Sequence, residues 1–145
     1  MIHAQINDWY RLRYKHYQTG EVVQHDFQVS QIVDPEGILR EGEPKLYLWS
    51  RESGNMGNEQ IMLGIDITGK ILMKNDFEWD SQNQFFVRYG YSANSTYVEI
   101  YQEEDWHLYI KSKTCEITIN VVYVDELQRA LRLAGEDRLA DEFKI

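Results

Sequence analysis

The chain has 145 residues, with 15 Lys and Arg against 24 Asp and Glu, a formal net charge of −9 at neutral pH. That length suits a single domain, 1–145, with one core, and 43% hydrophobic residues with 13% aromatics exclude a disordered chain. No run approaches the ~18 apolar residues of a membrane span, the one cysteine excludes an internal disulfide, and without a basic, apolar leader the expected compartment is the cytoplasm.

In residues 8–17, Tyr10, Leu12, Tyr14 and His16 alternate with Trp9, Arg11, Arg13, Lys15 and Tyr17, which predicts a half-buried strand. Phe27, Val29, Ile32 and Val33 suggest one further strand. Residues 45–49 alternate again, and residues 53–58 read as a turn. Two apolar runs, 61–67 and 70–73, flank Thr68-Gly69, which predicts a hairpin rather than a helix.

Spacing-two sets then follow: Phe85, Val87, Tyr89 and Tyr91; Val98 and Ile100; Trp106, Leu108 and Ile110; Cys115, Ile117 and Ile119. They predict four strands, and short polar connectors make them an antiparallel meander. After Val124 the period becomes helical, with Leu127, Ala130, Leu131 and Ala134 on one face. Gly135 ends this helix, and Asp137 opens a second carrying Leu139, Ala140 and Phe143. The expected class is α+β, antiparallel sheets built of hairpins and a meander over roughly 8–120, then two C-terminal helices over roughly 124–144.

Motifs for chemistry fail one by one. Gly64 to Lys70 follows a phosphate-loop pattern, but Ile71 replaces the magnesium-binding Ser or Thr. Asp76, Glu78 and Asp80 place three carboxylates on one side of an extended segment, yet Ser81 and Val87 stand where a calcium loop needs Gly and Glu. His3, His16, His25 and His107 have no metal-ligand spacing. Cys115 alternates with core positions and reads as a buried structural thiol, and no Gly-x-Ser-x-Gly elbow is present. Neither a catalytic residue, a metal nor a cofactor is expected, so the chain reads as non-enzymatic; a small enzyme whose carboxylates come together only in the fold is a third reading, which spacing along the chain leaves open.

Charge distribution is more informative. Residues 20–110 hold sixteen acids and six bases, a net −10, whereas residues 1–19 carry +2 and residues 111–145 carry −1. The acids interleave with aromatics in Asp76-Phe77-Glu78-Trp79-Asp80 and in Glu103-Glu104-Asp105-Trp106. Aromatics anchor protein interfaces, and a cluster of one sign speeds encounter with an opposite partner. Asp76, Glu78, Trp79, Asp80, Glu103, Glu104 and Asp105 are therefore the candidate contacts, the carboxylates for Lys or Arg and Trp79 as a hydrophobic anchor. The alternating positions Tyr97, Glu99 and Tyr101, or His107, Tyr109 and Lys111, are equally available as a binding face. A contrary signal is the strip Trp9, Arg11, Arg13, Lys15 and Tyr17, which suits a single-stranded nucleic acid, although a chain at −9 repels that polymer overall.

This acidic, strand-rich pattern, with its ending Val124-Asp-Glu-Leu-Gln-Arg-Ala-Leu-Arg-Leu-Ala-Gly-Glu-Asp-Arg-Leu-Ala-Asp-Glu-Phe143, resembles the immunity proteins of bacterial contact-dependent growth inhibition systems. Within them it looks like the kind paired with a toxin domain that cleaves ribosomal RNA. The resemblance implies a fold similar to the Whirly single-stranded DNA binders. It further implies a cytoplasmic protein that binds the C-terminal nuclease domain of its cognate toxin one-to-one and keeps it from RNA, with no chemistry of its own. Nuclease domains tend to be basic because their substrate is polyanionic, so an acidic inhibitor imitates that substrate.

Overall fold

The alternation of residues 8–17 forms a strand in the computed structural model, which describes residues 4–33, 47–49, 56–58, 62–92 and 95–145. In chain order the first strands are β1 (Trp9–Lys15), β2 (Val22–Gln28), β3 (Gln31–Val33), β4 (Tyr47–Trp49), β5 (Met56–Asn58) and β6 (Met62–Leu63). All lie in the first of two compact units, Met1–Ile65. β1 is the centre of an antiparallel sheet ordered β2-β1-β6, and a second antiparallel sheet runs β3-β4-β5. Tyr10 and Leu12 are buried with Phe27, Val29 and Met62, which is the core that the alternation requires. Two expectations change. The single strand expected over residues 27–33 is divided into β2 and β3. Residues 56–58, expected as turn, instead pair with β4, because a ladder partner outweighs the weak strand preference of Gly and Asn; residues 45–46 and 53–55 lie outside the described residues.

The second unit, Asp66–Ile145, contains α1 (Gly69–Lys74), β7 (Glu78–Asp80), β8 (Phe85–Tyr89), β9 (Tyr97–Gln102), β10 (Trp106–Lys111), β11 (Glu116–Val121), α2 (Val124–Leu133) and α3 (Asp137–Asp141). Its strands form one five-stranded antiparallel sheet in the order β11-β10-β9-β8-β7. The class is α+β with antiparallel sheets, and the meander and both C-terminal helices are present.

The hairpin expected at Thr68-Gly69 is a helix start instead. Thr68 Oγ1 accepts a hydrogen bond of 3.2 Å from Ile71 N, capping α1. Leu72 is then fully buried, and a side chain on Gly69 would stand 3.1 Å from the Phe86 ring. A four-residue apolar run has too little period to separate strand from helix, and the cap decides it. At the far end Asn75 Nδ2 donates to Ile71 O at 2.9 Å and to Lys144 O at 2.7 Å, tying the C-terminal tail to α1.

Val98, Ile100, Leu108 and Ile110 are at most 1% exposed and fix the inner face of the sheet, against which the apolar side of the helices packs. Register then overrides the expectation for β8. Phe86 pairs with Ile100 and Arg88 with Val98, so these two face inward, while Phe85, Val87 and Tyr89 face out. Arg88 is buried because its guanidinium donates to the carbonyls of Asn75 and Tyr89 and lies 3.4 Å from Asp76 Oδ2. β11 is an edge strand, so Ile117 is half-buried and Ile119 exposed, with Val121 buried in their place. Cys115, expected in the core, is half-buried.

α2 begins where Glu126 Oε1 accepts from Val122 N and Tyr123 N, and ends at Gly135, whose φ of +82° suits glycine. Leu127, Ala130, Leu131, Ala134, Leu139, Ala140 and Phe143 are all buried, as their spacing predicts. Glu136, 1% exposed, crosses to the β8–β9 loop. Its carboxylate accepts from Tyr91 N at 2.9 Å, from Ser92 N at 3.2 and 3.3 Å, and from the Ser92 hydroxyl. Burial alone would raise the pKa of this group, but hydrogen bonds from Ser92, Thr96 and the Tyr91 and Ser92 amides outweigh it and hold it below the usual carboxylate value.

Gly90 makes this approach possible, since a β-carbon there would fall 2.3 Å from the Glu136 carboxylate. Gly90→Ala is therefore expected to cost about 2 kcal/mol in urea denaturation, by pushing the carboxylate off its donors. The double variant Gly90→Ala/Glu136→Ala is expected to cost little more than Glu136→Ala alone, because both remove the same contacts.

Candidate interaction face

Because successive side chains of a strand point to opposite sides, the inner-face assignment determines the outer face. There the register aligns Tyr89 with Tyr97 and Tyr97 with Lys111; Glu78 with Val87, Glu99 and Tyr109; and Tyr101 with His107. The aromatic rings are ordered against one another. Tyr89 and Tyr97 lie 5.6 Å apart at 57°, and Tyr101 stacks on His107 at 4.8 Å and 16°. Within this unit the helices lie on the other side of the sheet, and Tyr89 is 70% exposed.

The phenols are held by the carboxylates. Tyr97 Oη donates to Glu99 Oε2 and Tyr109 Oη to Glu116 Oε1, both at 2.9 Å. Burial, then the Glu99 hydrogen bond and charge, push the Tyr97 phenol up to about 12. Since this folded-state value lies above that of the unfolded chain, the neutral phenol stabilises the fold fully below about pH 10, and that contribution is lost as pH rises through 12. In a phenolate absorbance titration the Tyr97 and Tyr109 phenols, the latter raised by its Glu116 hydrogen bond, are expected to ionise late among the ten tyrosines, and Tyr97→Phe should remove the part near pH 12. Glu78, Asp80, Glu99 and Glu116 share this face with a single cation, Lys111, among its described residues. The face is an aromatic surface of net negative sign.

The seven sequence-derived candidates are distributed around it. Glu78 is exposed on the outer face. Asp80 starts the β7–β8 turn, where its carboxylate accepts from Asn83 Nδ2 at 3.0 Å, Asn83 N at 3.1 Å and Gln82 N at 2.9 Å; the Asn83 side-chain bond is the main cause of its lowered pKa. Asp76 lies outside the strand, at φ +61°, next to Arg88. The expected row of three carboxylates is thereby split, since a left-handed residue breaks the alternation. Trp79 sits on the inner face at the sheet edge, 48% exposed, its ring 4.8 Å from Phe86. Glu103, Glu104 and Asp105 form the exposed β9–β10 turn, with Glu103 Oε2 3.8 Å from His107 Nε2.

Tyr89 and Glu116 on the outer face were not singled out by sequence; their signal is the strand period, which needed the register to be assigned a side. In the first unit, Arg11 of the basic strip forms a two-pronged ion pair with its cross-strand partner Asp26, at 2.7 and 3.3 Å. Arg13, Lys15 and Tyr17 are exposed, and Trp9 is half-buried. Among the described residues no three His, Cys, Asp or Glu side chains are placed to hold a cation, and no helix is long and apolar enough to cross a membrane. No family model matches the chain, and neither a curated protein nor a solved structure matches it.

Proposed function

We propose that the protein is an immunity protein: a non-enzymatic, one-to-one inhibitor that docks its acidic, aromatic sheet face on a basic nuclease toxin domain in the cytoplasm. The observation that carries this reading is the outer face of the five-stranded sheet, opposite the helices of its own unit, where Tyr89, Tyr97, Tyr101 and Tyr109 stand among Glu78, Glu99 and Glu116. Ordered tyrosines present large contact area at low entropic cost, and surrounding carboxylates attract a basic partner and repel nucleic acid. The acidic β9–β10 turn extends the same potential past the sheet edge.

Single-stranded nucleic acid binding by the β1 strip is the competing reading, and pairing of Arg11 with Asp26 weighs against it by committing one of the strip's three cations. Gel filtration of the chain mixed with the C-terminal domain encoded by the gene immediately upstream tests the proposal. A stable one-to-one complex is expected, alongside no salt-sensitive anisotropy change with a labelled oligonucleotide. Free components, with tight oligonucleotide binding that Arg13→Glu abolishes, would overturn it.

A further inference from the structure

We infer that the cleft at the inner-face edge of the sheet, between the β7–β8 and β9–β10 turns, seats an arginine side chain of the basic partner, an inference that rests on the inhibitor reading and carries its grip around the acidic β9–β10 turn. The cleft, about 410 Å³, is lined by Gly69, Trp79, Gln84, Phe86, Gln102 and Trp106. Its three aromatic rings form a chain, Trp79 to Phe86 at 4.8 Å and Phe86 to Trp106 at 6.2 Å. Trp106 is immobilised by its indole N–H, which donates to Ile67 O at 3.0 Å. Trp79, with nearly half its surface exposed, presents the accessible wall.

A second depression shares Gln102 and Trp106 with this cleft and is also lined by Asp66, Glu104 and Asp105. All three acids are exposed, and none forms an ion pair among the described residues. The combination selects its occupant. A flat cation stacks on the Trp79 indole face, and the carboxylates of the neighbouring depression add attraction for positive charge. Arginine has that shape, whereas the compact ammonium of lysine gives up the stacking. A phosphate would be repelled by the acids, and an apolar ligand would gain nothing from them.

Titration of the full chain with the peptide acetyl-Gly-Arg-Gly-amide, followed by NMR of the Trp79 indole N–H and the Gln84 and Gln102 side-chain amides, tests this. Saturable shifts confined to these groups are expected, about tenfold tighter than with the neutral citrulline peptide of the same shape. Trp79→Ala should weaken binding about fivefold, as should Glu104→Gln/Asp105→Asn, whose exposed turn positions leave the fold intact. Equal responses to arginine and citrulline, or wild-type binding by both variants, would overturn the inference. No toxin enters this titration: a flat response alongside a stable complex overturns the cleft alone, and an arginine-selective response without a complex overturns the inhibitor reading alone.

Discussion

Glu136→Ala is expected to destabilise the protein by about 3 kcal/mol. The carboxylate is almost fully buried and accepts from two backbone amides and the Ser92 hydroxyl in the β8–β9 loop. Truncation leaves these part-buried donors without their shared acceptor, and losing several charge-assisted bonds at once costs more than an ordinary hydrogen bond contributes. Glu136→Gln keeps one acceptor oxygen but turns an N–H₂ toward the same donors, and should lose about 2 kcal/mol. The pH dependence follows from the lowered pKa. A carboxyl whose folded value lies below its unfolded value of about 4.5 contributes stability above that pH, and the contribution is lost as pH falls through the folded value. Urea denaturation from pH 7 to pH 3 should therefore show a steeper acid loss in wild type than in Glu136→Gln; parallel curves would remove Glu136 as the cause.

Glu78→Lys/Glu99→Lys is expected to slow association with the basic partner by at least about tenfold at low salt and to flatten its salt dependence. The two residues share one cross-strand row of the outer face, either side of Val87. Neither is in the inner core, so the fold should be retained, although Glu99 gives up its bond from Tyr97. Asp80→Lys is the less informative reversal, because that carboxylate builds its own turn. Stopped-flow mixing at several salt concentrations separates the outcomes, and unchanged association rates would take this face out of the interface. Tyr97→Phe should act on dissociation instead, since it alters the ordered ring surface without changing net charge.

Elements with long, unambiguous period were legible in the sequence. Val98, Ile100, Leu108 and Ile110 alternate with polar or aromatic neighbours, and α2 keeps its apolar stripe over three turns; both appear as read. The misreadings have local physical causes. Residues 70–73 are apolar under either period, so only the Thr68 cap distinguishes helix from strand. Phe85, Phe86 and Val87 are apolar on both sides of β8, and the register with β9 chose the inward pair, Arg88 included. Of the candidate contacts, the acid turn 103–105, Glu78 and Trp79 are exposed, Trp79 on the opposite side of the strand from Glu78, while Asp76 is displaced from the expected row. The aromatic face required knowing which side of the sheet the helices cover, and alternation cannot supply that. Glu136 and Gly90 are 46 residues apart in sequence, and nothing in either neighbourhood announces their contact.

The most direct test of the central claim is a growth measurement. Cells expressing the C-terminal domain encoded immediately upstream should arrest alone, grow normally with the wild-type chain, and arrest again with Glu78→Lys/Glu99→Lys produced at the same level. Arrest in the presence of the wild-type chain, or full rescue by the charge-reversed variant, would contradict inhibition through this face.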